Sequence, residues 1–397
     1  MFNKVPKIEL QSRLSALRTR MDSECPEWQL IAIFSKINQF YFTGTMQDGV
    51  VLIPRDKEAT YWVRRSLQRA QDESEFADIR PMNSFRDAAD AMAPLADTVH
   101  LETERVPLAM YQRFNKHFSF KHVAAADNTI AMVRSIKSSY ELERMERSGL
   151  IHQKILEQRL PQLLEPGMSE AELGGVLYQE MIAAGHHGIA RFSMYDTEVL
   201  LGHICFGESS IYPTSFDGPG GNYGMSPAVP LLGSRERKLS AGDLVFVDIG
   251  CGYDGYHTDK TMTYVYRGQL PDEAIAIHKK CVQIQNDTAK LLKPGAIPEQ
   301  IYAEITDKLE PEFLKGFMGF GARQARFLGH GIGLYIDEIP VLAKGFVQPL
   351  QKNMVLAIEP KKGVAGIGLL GTENTFVVTT EGGRCITGNH PGLMYVA

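Results

Sequence analysis

The sequence lacks the features that mark a membrane protein, a disulfide-rich secreted protein or a nucleic-acid-binding protein. No apolar run in the 397 residues approaches the roughly 18 residues needed to cross a bilayer, and the charged N-terminal stretch does not resemble a secretory signal. The five cysteines are scattered and form no C-x-x-C pair, as is usual for reduced thiols inside the cell. A formal net charge of −5 argues against a basic nucleic-acid surface. We therefore expect a cytoplasmic protein without a membrane or nucleic-acid partner.

The length and the pattern of apolar residues indicate two mixed α/β domains. A chain of 397 residues is too long for one small core. Its first part combines helical patterns at 7–21 and 66–76 with short β-branched and aromatic runs that are typical of strands. The predicted strands are 30–34, 40–44, 50–54, 59–63 and 99–101. We place the domain boundary near Val133, which gives domains 1–133 and 134–397.

The second domain begins with a helix and contains a faint internal repeat. Ser138 and Glu141 have the spacing of a capping box, which predicts a helix that runs to about Leu164. The segments LLEPGMSEAEL at 163–173 and LLKPGAIPEQI at 291–301 share a helix end, a Pro-Gly turn and a new helix start. The repeat is explained either by duplicated halves or by two common helix–turn–helix segments.

Four acidic residues and one histidine stand out because each lies in an apolar or glycine-rich context. Asp248 and Asp259 lie on two predicted strands joined by a Gly/Asp turn, so a hairpin can direct both into one site. His330 lies between glycines that let the backbone approach a neighbour closely. Glu359 ends an apolar strand, and Glu373 begins another. Each acid taken alone is explained equally well by a capped turn or an ion pair.

Taken together, these five residues predict a metal centre, because buried carboxylates need a shared cation. Carboxylates with one imidazole suit Mn²⁺, Fe²⁺ or Co²⁺, and Zn²⁺ is also compatible. We expect two divalent ions about 3.5–4 Å apart, joined by bridging carboxylates. Such a pair activates a bridging water and polarises a carbonyl oxygen, which is the chemistry of amide hydrolysis.

The same residues carry a resemblance to the pita-bread metallopeptidases: aminopeptidase P, prolidase and methionine aminopeptidase, with creatinase as a metal-free relative. The matching motifs are VDIG, D-x-T, GHGIG, IEP and TENT, and residues 1 to about 130 resemble the creatinase-type N-terminal domain. The resemblance implies that Asp248 binds one metal, that His330 and Glu359 bind the other, and that Asp259 and Glu373 bridge them. It also implies a pita-bread second domain with pseudo-twofold duplicated halves, and a homodimer.

The chain departs from that family around the metal ligands. Where family peptidases have a histidine seven residues after the histidine ligand, this chain has Asp337. A second family histidine, upstream of the first aspartate, aligns near Thr214. Two family arginines, one before the last glutamate and one in the D-x-T-R-T motif, are replaced by Gly371 and Met262. Ordinary Xaa-Pro peptidase activity therefore does not follow from the metal ligands alone.

Other residues are candidates for the missing proton-handling groups. His203 can supply a donor from the strand before the glycine-rich loop, or it is a packed histidine. His257 alternates with Asp259 on one strand and either lines the site or points toward a loop. Asp337 either replaces the missing proton carrier or binds a cationic substrate group, and it is otherwise a loop carboxylate. Arg191 is a candidate for a substrate carboxylate, and the family resemblance implies that Glu359 takes the proton from the attacking water.

Glycine-rich segments of the second domain do not indicate a nucleotide cofactor. Residues 366–371 fit G-x-G-x-x-G, but they lead into a predicted strand instead of a helix. The glycine-rich run at 217–224 lacks the Lys-Ser/Thr ending of a P-loop. His186 and His187 follow a predicted helix end and are interpreted as ordinary polar loop residues.

Three functions are compatible with these observations. The first is a hydrolase of the Xaa-Pro aminopeptidase or prolidase type, which cleaves a C–N bond in a small peptide with a metal-bridging hydroxide. The second is a non-peptide amide hydrolase or a lyase on the same scaffold, as the resemblance to ectoine-derivative hydrolases and dimethylsulfoniopropionate lyases allows. The third is a catalytically inactive binding protein, which the complete ligand set argues against.

Overall fold

The computed structural model describes residues 3–93 and 96–397 and divides into two compact units, Met1–Arg134 and Ser135–Ala397. Among the described residues, no helix has both the length and the apolar character required of a membrane span.

The N-terminal unit is a six-stranded mixed sheet with helices. Its helices are α1 (Lys7–Glu24), α2 (Lys36–Thr43), α3 (Leu67–Glu73), α4 (Phe85–Met92), α5 (Leu108–Phe118) and α6 (Asp127–Ser135). Its strands are β1 (Leu30–Ile33), β2 (Gly49–Pro54), β3 (Thr60–Val63), β4 (Ile79–Pro81), β5 (Thr98–Leu101) and β6 (His122–Ala125). The strand order is β4-β3-β2-β1-β5-β6, and β1 pairs antiparallel with β2 and parallel with β5.

One predicted strand of this unit is wrong. Residues 40–44 belong to the end of helix α2, where the Gly44 amide donates to the Phe40 carbonyl at 2.7 Å. The aromatic run in this segment favoured a strand. In the structure, however, Ile37 and Tyr41 lie one helical turn apart and both are buried.

The C-terminal unit holds the remaining elements. Its helices are α7 (Ser139–Gln153), α8 (Glu170–Ala184), α9 (Asp272–Leu291), α10 (Pro298–Thr306) and α11 (Pro311–Leu314), with a π-helical turn at Lys154–Arg159 and 3₁₀ turns at Leu160–Gln162 and Gly207–Ile211. Its strands are β7 (Gly202–Phe206), β8 (Leu244–Tyr253), β9 (Tyr256–Tyr266), β10 (Gly319–Phe320), β11 (Arg323–Gln324), β12 (Gly329–Gly331), β13 (Glu338–Val341), β14 (Val355–Ile358), β15 (Lys361–Val364), β16 (Gly368–Gly371), β17 (Asn374–Thr379), β18 (Gly382–Cys385) and β19 (Leu393–Val396).

Two sheets of this unit meet at the predicted metal ligands. One has the order β19-β9-β8-β7 and the other β13-β12-β14-β17-β18. They are joined where the Thr261 amide donates to the Glu373 carbonyl at 3.2 Å. Thr375 strengthens the junction, because its hydroxyl accepts from the Asp259 amide and donates to the Asp259 carbonyl, each at 2.9 Å. Residues from both sheets therefore face one another across this seam.

The predicted helix starts are confirmed. Ser138 with Glu141 caps α7, and Ser169 with Glu172 caps α8, each as a complete capping box. Pro298 occupies the first turn of α10. Both repeat segments form a helix end, a turn and a new helix.

Candidate metal centre

A β-hairpin positions the first two acidic residues. Strands β8 and β9 pair antiparallel across a tight turn at Asp254 and Gly255, with Asp248 opposite Thr261. Asp259 lies two residues before Thr261 on the same strand, so their side chains share one face. Asp259 is buried and the Asp248 side chain is 11% exposed. The two aspartates are therefore diagonal neighbours on the hairpin surface, as the sequence predicts.

The histidine and the third acid lie on neighbouring strands of the second sheet. His330 is the middle residue of β12 and pairs with Ala357 of β14, while Glu359 follows the end of β14. The glycines around His330 permit this pairing, since a Cβ on Gly329 would lie 2.2 Å from the Ala357 carbonyl oxygen. A Cβ on Gly331 would come equally close to the backbone of β13. The close backbone approach that the glycines predicted is thus the approach of the neighbouring strands β13 and β14.

The side chains of the two sheets converge on one point. His330 Nε2 lies 3.5 Å from Glu359 Oε1 and 3.8 Å from Glu373 Oε1. One ligand atom each from Asp259, His330 and Glu373 lies within 4.8 Å of the others. Glu373 is 1% exposed, and its Oε1 has no hydrogen-bond partner among the described residues. A buried carboxylate oxygen without a donor is costly, so this donor set fits a divalent cation.

Burial and mutual repulsion make Asp259 and Glu373 poor anions on their own. Burial, reinforced by the charge of Asp248, raises the pKa of Asp259 to about 7. Burial and the charge of Asp259 likewise raise the pKa of Glu373 well above its ordinary value. For His330, burial lowers the pKa, but Asp337 and Glu359 outweigh it and raise the value to about 9. A bound dication would satisfy these charges together.

A lysine that the sequence reasoning missed lies inside this cluster. Lys361 is fully buried, and its Nζ lies 2.9 Å from Asp248 Oδ2, 2.9 Å from Glu359 Oε2 and 2.6 Å from Glu373 Oε2. Burial lowers the pKa of Lys361, but the three carboxylates outweigh burial and raise it well above its ordinary value. Lys361 is thus an ammonium group held among three predicted metal ligands. The available signal was its position two residues after Glu359, on the same face of an extended segment.

Comparison with known proteins assigns the chain to a protein family. The sequence pattern of metallopeptidase family M24 matches residues 143–380. The pattern of the creatinase/prolidase N-terminal domain matches residues 13–136. The chain belongs to metallopeptidase family M24. The resemblance noted in the sequence is therefore confirmed, and the chain is an enzyme of the metallopeptidase type whose family implies divalent metal ions.

Relatives of the chain cover nearly its whole length. The Xaa-Pro dipeptidase of Pyrococcus furiosus is 25% identical over 95% of this chain and 98% of its own. The structure of the prolidase from Pyrococcus horikoshii superimposes with a TM-score of 0.77 and 21% identity, covering 96% of this chain and 99% of that one. Dipeptidase PepE from Mycobacterium ulcerans gives a TM-score of 0.78 at 22% identity, covering 99% and 100%. These similarities establish a creatinase-like N-terminal domain and a pita-bread C-terminal domain.

His203 lies beside the metal centre of this M24 protein. It pairs with Asp248 across β7 and β8, and its ring packs edge-on against Phe216, with centroids 5.0 Å apart. Its Nδ1 is buried and lacks a hydrogen-bond partner within the described parts of the chain. Burial lowers the pKa of His203 to about 4, with opposing effects from Asp248 and from Lys361 and Arg323. A neutral imidazole with a free nitrogen therefore adjoins the ligands.

Asp337 lies behind His330. Its Oδ1 is 3.6 Å from His330 Nδ1, which also faces the Gly331 carbonyl at 3.0 Å. Its Oδ2 is buried, with no hydrogen-bond partner in residues 3–93 and 96–397. Burial raises the pKa of Asp337 to about 6, although the nearby His330 lowers it. The residue that stands where the family has a histidine thus faces the ligand His330.

His257 faces a loop, which is one of the two positions that the sequence allows. Its Nδ1 lies 3.1 Å from the Gly333 carbonyl and its Nε2 lies 3.2 Å from His187 Nε2. His186 and His187, which were interpreted from the sequence as ordinary polar loop residues, accept hydrogen bonds from the turn. Their Nδ1 atoms accept from the Gly252 and Gly255 amides at 2.9 and 3.0 Å. These histidines fix the turn between β8 and β9.

Arg191 and the remaining positions that depart from the family belong to the same unit as the candidate metal centre. Arg191 is half-buried, and its carbonyl accepts from the Ile336 amide at 2.7 Å. Thr214 accepts from the Phe216 amide within the loop after β7. Met262 packs into the hydrophobic core, and Gly371 pairs with Lys361 across β15 and β16. Arg323, also missed from the sequence, donates to the Gly218 and Gly220 carbonyls at 3.2 and 3.0 Å.

Proposed function

We propose that this protein is a metal-dependent peptidase that cleaves the C–N bond before proline in a small peptide. The observation that carries the proposal is the convergence of Asp259, His330, Glu359 and Glu373 on one buried point, with an unpartnered Glu373 oxygen. Proteins that match over nearly the full length are described as an Xaa-Pro dipeptidase and a dipeptidase, which supports a dipeptide or short peptide as the substrate.

The residues of the site either bind the metal or transfer protons. Asp259, His330, Glu359 and Glu373 would hold a divalent metal, with Mn²⁺, Co²⁺ or Fe²⁺ favoured over Zn²⁺ by the donor types. When bound, the metal supplies the water activation and carbonyl polarisation that the sequence predicts. Glu359 accepts the proton of the attacking water, because one of its oxygens faces the metal-binding side and the other is anchored by Lys361.

Two further groups take the place of the missing family histidines. His203 is neutral and has a free nitrogen, so it can donate to the peptide or relay the proton to the leaving nitrogen. Asp337 can bind the cationic amino end of a peptide through its unpartnered oxygen. His257 contributes through the turn between β8 and β9, because its ring contacts the Gly333 carbonyl and His187.

The alternative is hydrolysis of a non-peptide amide or a lyase reaction at the same site. The replacement of the family histidine by Asp337, together with the apolar Met262 where the family has an arginine, favours it. A smaller substrate without a peptide carboxylate would need fewer anchoring cations.

A substrate screen decides between these functions. The protein loaded with Mn²⁺ is assayed with Ala-Pro, Gly-Pro and Ala-Pro-Ala, with matched peptides that carry alanine for proline, and with a panel of small amides. We expect cleavage of the proline peptides only, and loss of that cleavage in Asp259→Asn but not in the exposed control Asp272→Asn. Turnover of amides alone would favour the alternative. No turnover by the metal-loaded protein would favour the binding-protein hypothesis.

A further inference from the structure

Lys361 bridges three carboxylates of the candidate metal centre. Its ammonium contacts carboxylates from three separate segments: Asp248 of β8, Glu359 after β14 and Glu373 before β17. All three Nζ–O distances are 2.6–2.9 Å, the range of charge-assisted hydrogen bonds. Because the side chain is fully buried, these contacts replace its whole hydration shell.

The backbone around Lys361 is built to admit this side chain. Lys361 faces Gly371 in the register of β15 and β16. Gly371 has φ +147°, and a Cβ at this position would lie 2.4 Å from the Pro360 carbonyl and 3.0 Å from Lys361 Cγ. A larger residue at 371 would therefore displace the lysine. Lys361 on β15 therefore depends on a glycine at position 371 of β16.

The carboxylate oxygens are divided into two sets by their contacts. Both oxygens of Asp248 are occupied, Oδ2 by Lys361 and Oδ1 by the Thr261 hydroxyl at 2.6 Å. The same hydroxyl and Lys361 also contact Glu373 Oε2. The other set consists of Glu373 Oε1, Glu359 Oε1 and Asp259, which face His330. Among the described residues, no lysine or arginine contacts this second set, and its acceptors are directed at a common point beside His330.

We propose that the ammonium of Lys361 replaces one of the two metal ions, so that the centre binds a single divalent cation at Asp259, His330, Glu359 and Glu373. Asp248, the ligand expected for the other metal, holds Lys361 instead. An ion bound by Asp248 and Glu373 would have to displace the ammonium that bridges those same carboxylates, and its charge would repel the lysine. This inference takes the metal dependence of the proposed function as given.

The number of metal ions per chain tests the inference without an activity assay. The full-length protein is stripped with a chelator, incubated with excess Mn²⁺, separated from free metal and measured by elemental mass spectrometry. We expect one Mn²⁺ per chain in the wild type, and an increase toward two in Lys361→Ala. Electron paramagnetic resonance should show isolated Mn²⁺ in the wild type and coupled pairs in the variant. Two ions per wild-type chain would overturn the proposal.

Two further variants keep the test decisive. Lys362→Ala is the matched control, because Lys362 donates to the backbone carbonyls of Phe313 and Lys315 outside the site, and it should keep one ion. Asp248→Asn should also keep one ion with an affinity within about threefold of the wild type, even where Lys361→Ala fails to fold. Loss of the ion in Asp248→Asn would contradict the inference.

The outcome is separable from that of the proposed function. One bound ion without peptide cleavage supports the lysine replacement and refutes the peptidase proposal. Peptide cleavage with two bound ions does the reverse. A wild-type protein that binds no Mn²⁺ at all overturns both.

Discussion

At the scale of single residues, Thr261 links the carboxylates of Asp248 and Glu373. Its hydroxyl lies 2.6 Å from Asp248 Oδ1 and 3.0 Å from Glu373 Oε2, so it orients one ligand of the metal and one partner of Lys361. A residue that acts only through its neighbours is a positioning residue. Its removal should change metal affinity more than it changes folding.

Thr261→Val tests this positioning role. Removing the hydroxyl should lower Mn²⁺ affinity by about 10–100-fold and cost about 1–3 kcal/mol of stability through unmade buried hydrogen bonds. The matched control is Thr263→Val on the same strand, whose equally buried hydroxyl contacts the Gly392 carbonyl at 2.9 Å. Titration calorimetry and urea unfolding measure both effects. Equal affinity losses in the two variants would show that Thr261 has no specific role.

The residues that converge on the candidate metal centre were predictable because each is marked within a few residues of sequence. Asp248 interrupts an apolar strand, and His330 is flanked by glycines, so local context is sufficient. Lys361 was not predicted, because its meaning depends on contacts with Asp248 and Glu373 that only the folded chain creates. A lysine after a proline is ordinary in sequence terms and becomes unusual only when it is buried.

At the scale of elements, the hairpin of β8 and β9 depends on histidines outside it. The Gly252 and Gly255 amides donate to His186 and His187, and such bonds require an unprotonated Nδ1. Burial, with the charges of Arg191 and His186, lowers the pKa of His187 to about 4. The turn that orients Asp259 is thus coupled to the protonation of its neighbours.

The sign of the resulting pH dependence follows from that shift. A histidine whose pKa is depressed in the folded state stabilises the fold fully above its unfolded pKa of about 6.5. This stability is lost as the pH falls toward the folded value of about 4. Urea unfolding should therefore show declining stability from pH 7 to pH 4.5, and His187→Asn should be less stable at pH 7 with a weaker decline. His117→Asn, on helix α5 of the other unit, should retain the full decline. An unchanged slope in His187→Asn would contradict the expectation.

Elements were predictable where apolar residues form a compact run, as in β8, or follow a helical spacing, as in α1. Helix α2 was not, because six of its eight residues are buried, which hides the helical period behind an aromatic run. The side-chain partners of His186 and His187 were also out of reach, since they depend on a turn that lies 66 and 68 residues away in sequence.

At the scale of the whole molecule, the two units have separate cores, and the residues of the candidate metal centre all belong to the second. The existence of two domains follows from chain length and pattern. The meeting of two sheets at one seam does not, because it rests on long-range pairing such as the bridge between Thr261 and Glu373. The faint sequence repeat indicated two halves, but it did not predict which strands of the two sheets would pair at the seam.

Metal binding should therefore stabilise one unit and leave the other unchanged. A ligand at 100 times its dissociation constant adds about 2.7 kcal/mol to the state that binds it, and the ligands here join β9, β12, β14 and β17. Calorimetry with Mn²⁺ and with chelator should show two unfolding transitions, of which only the one from the C-terminal unit moves upward with metal. Asp259→Asn should abolish that shift, while Asp272→Asn, an exposed change on α9, should preserve it. A shift of both transitions together would mean that the units unfold as one, and no shift would mean that these carboxylates hold no metal.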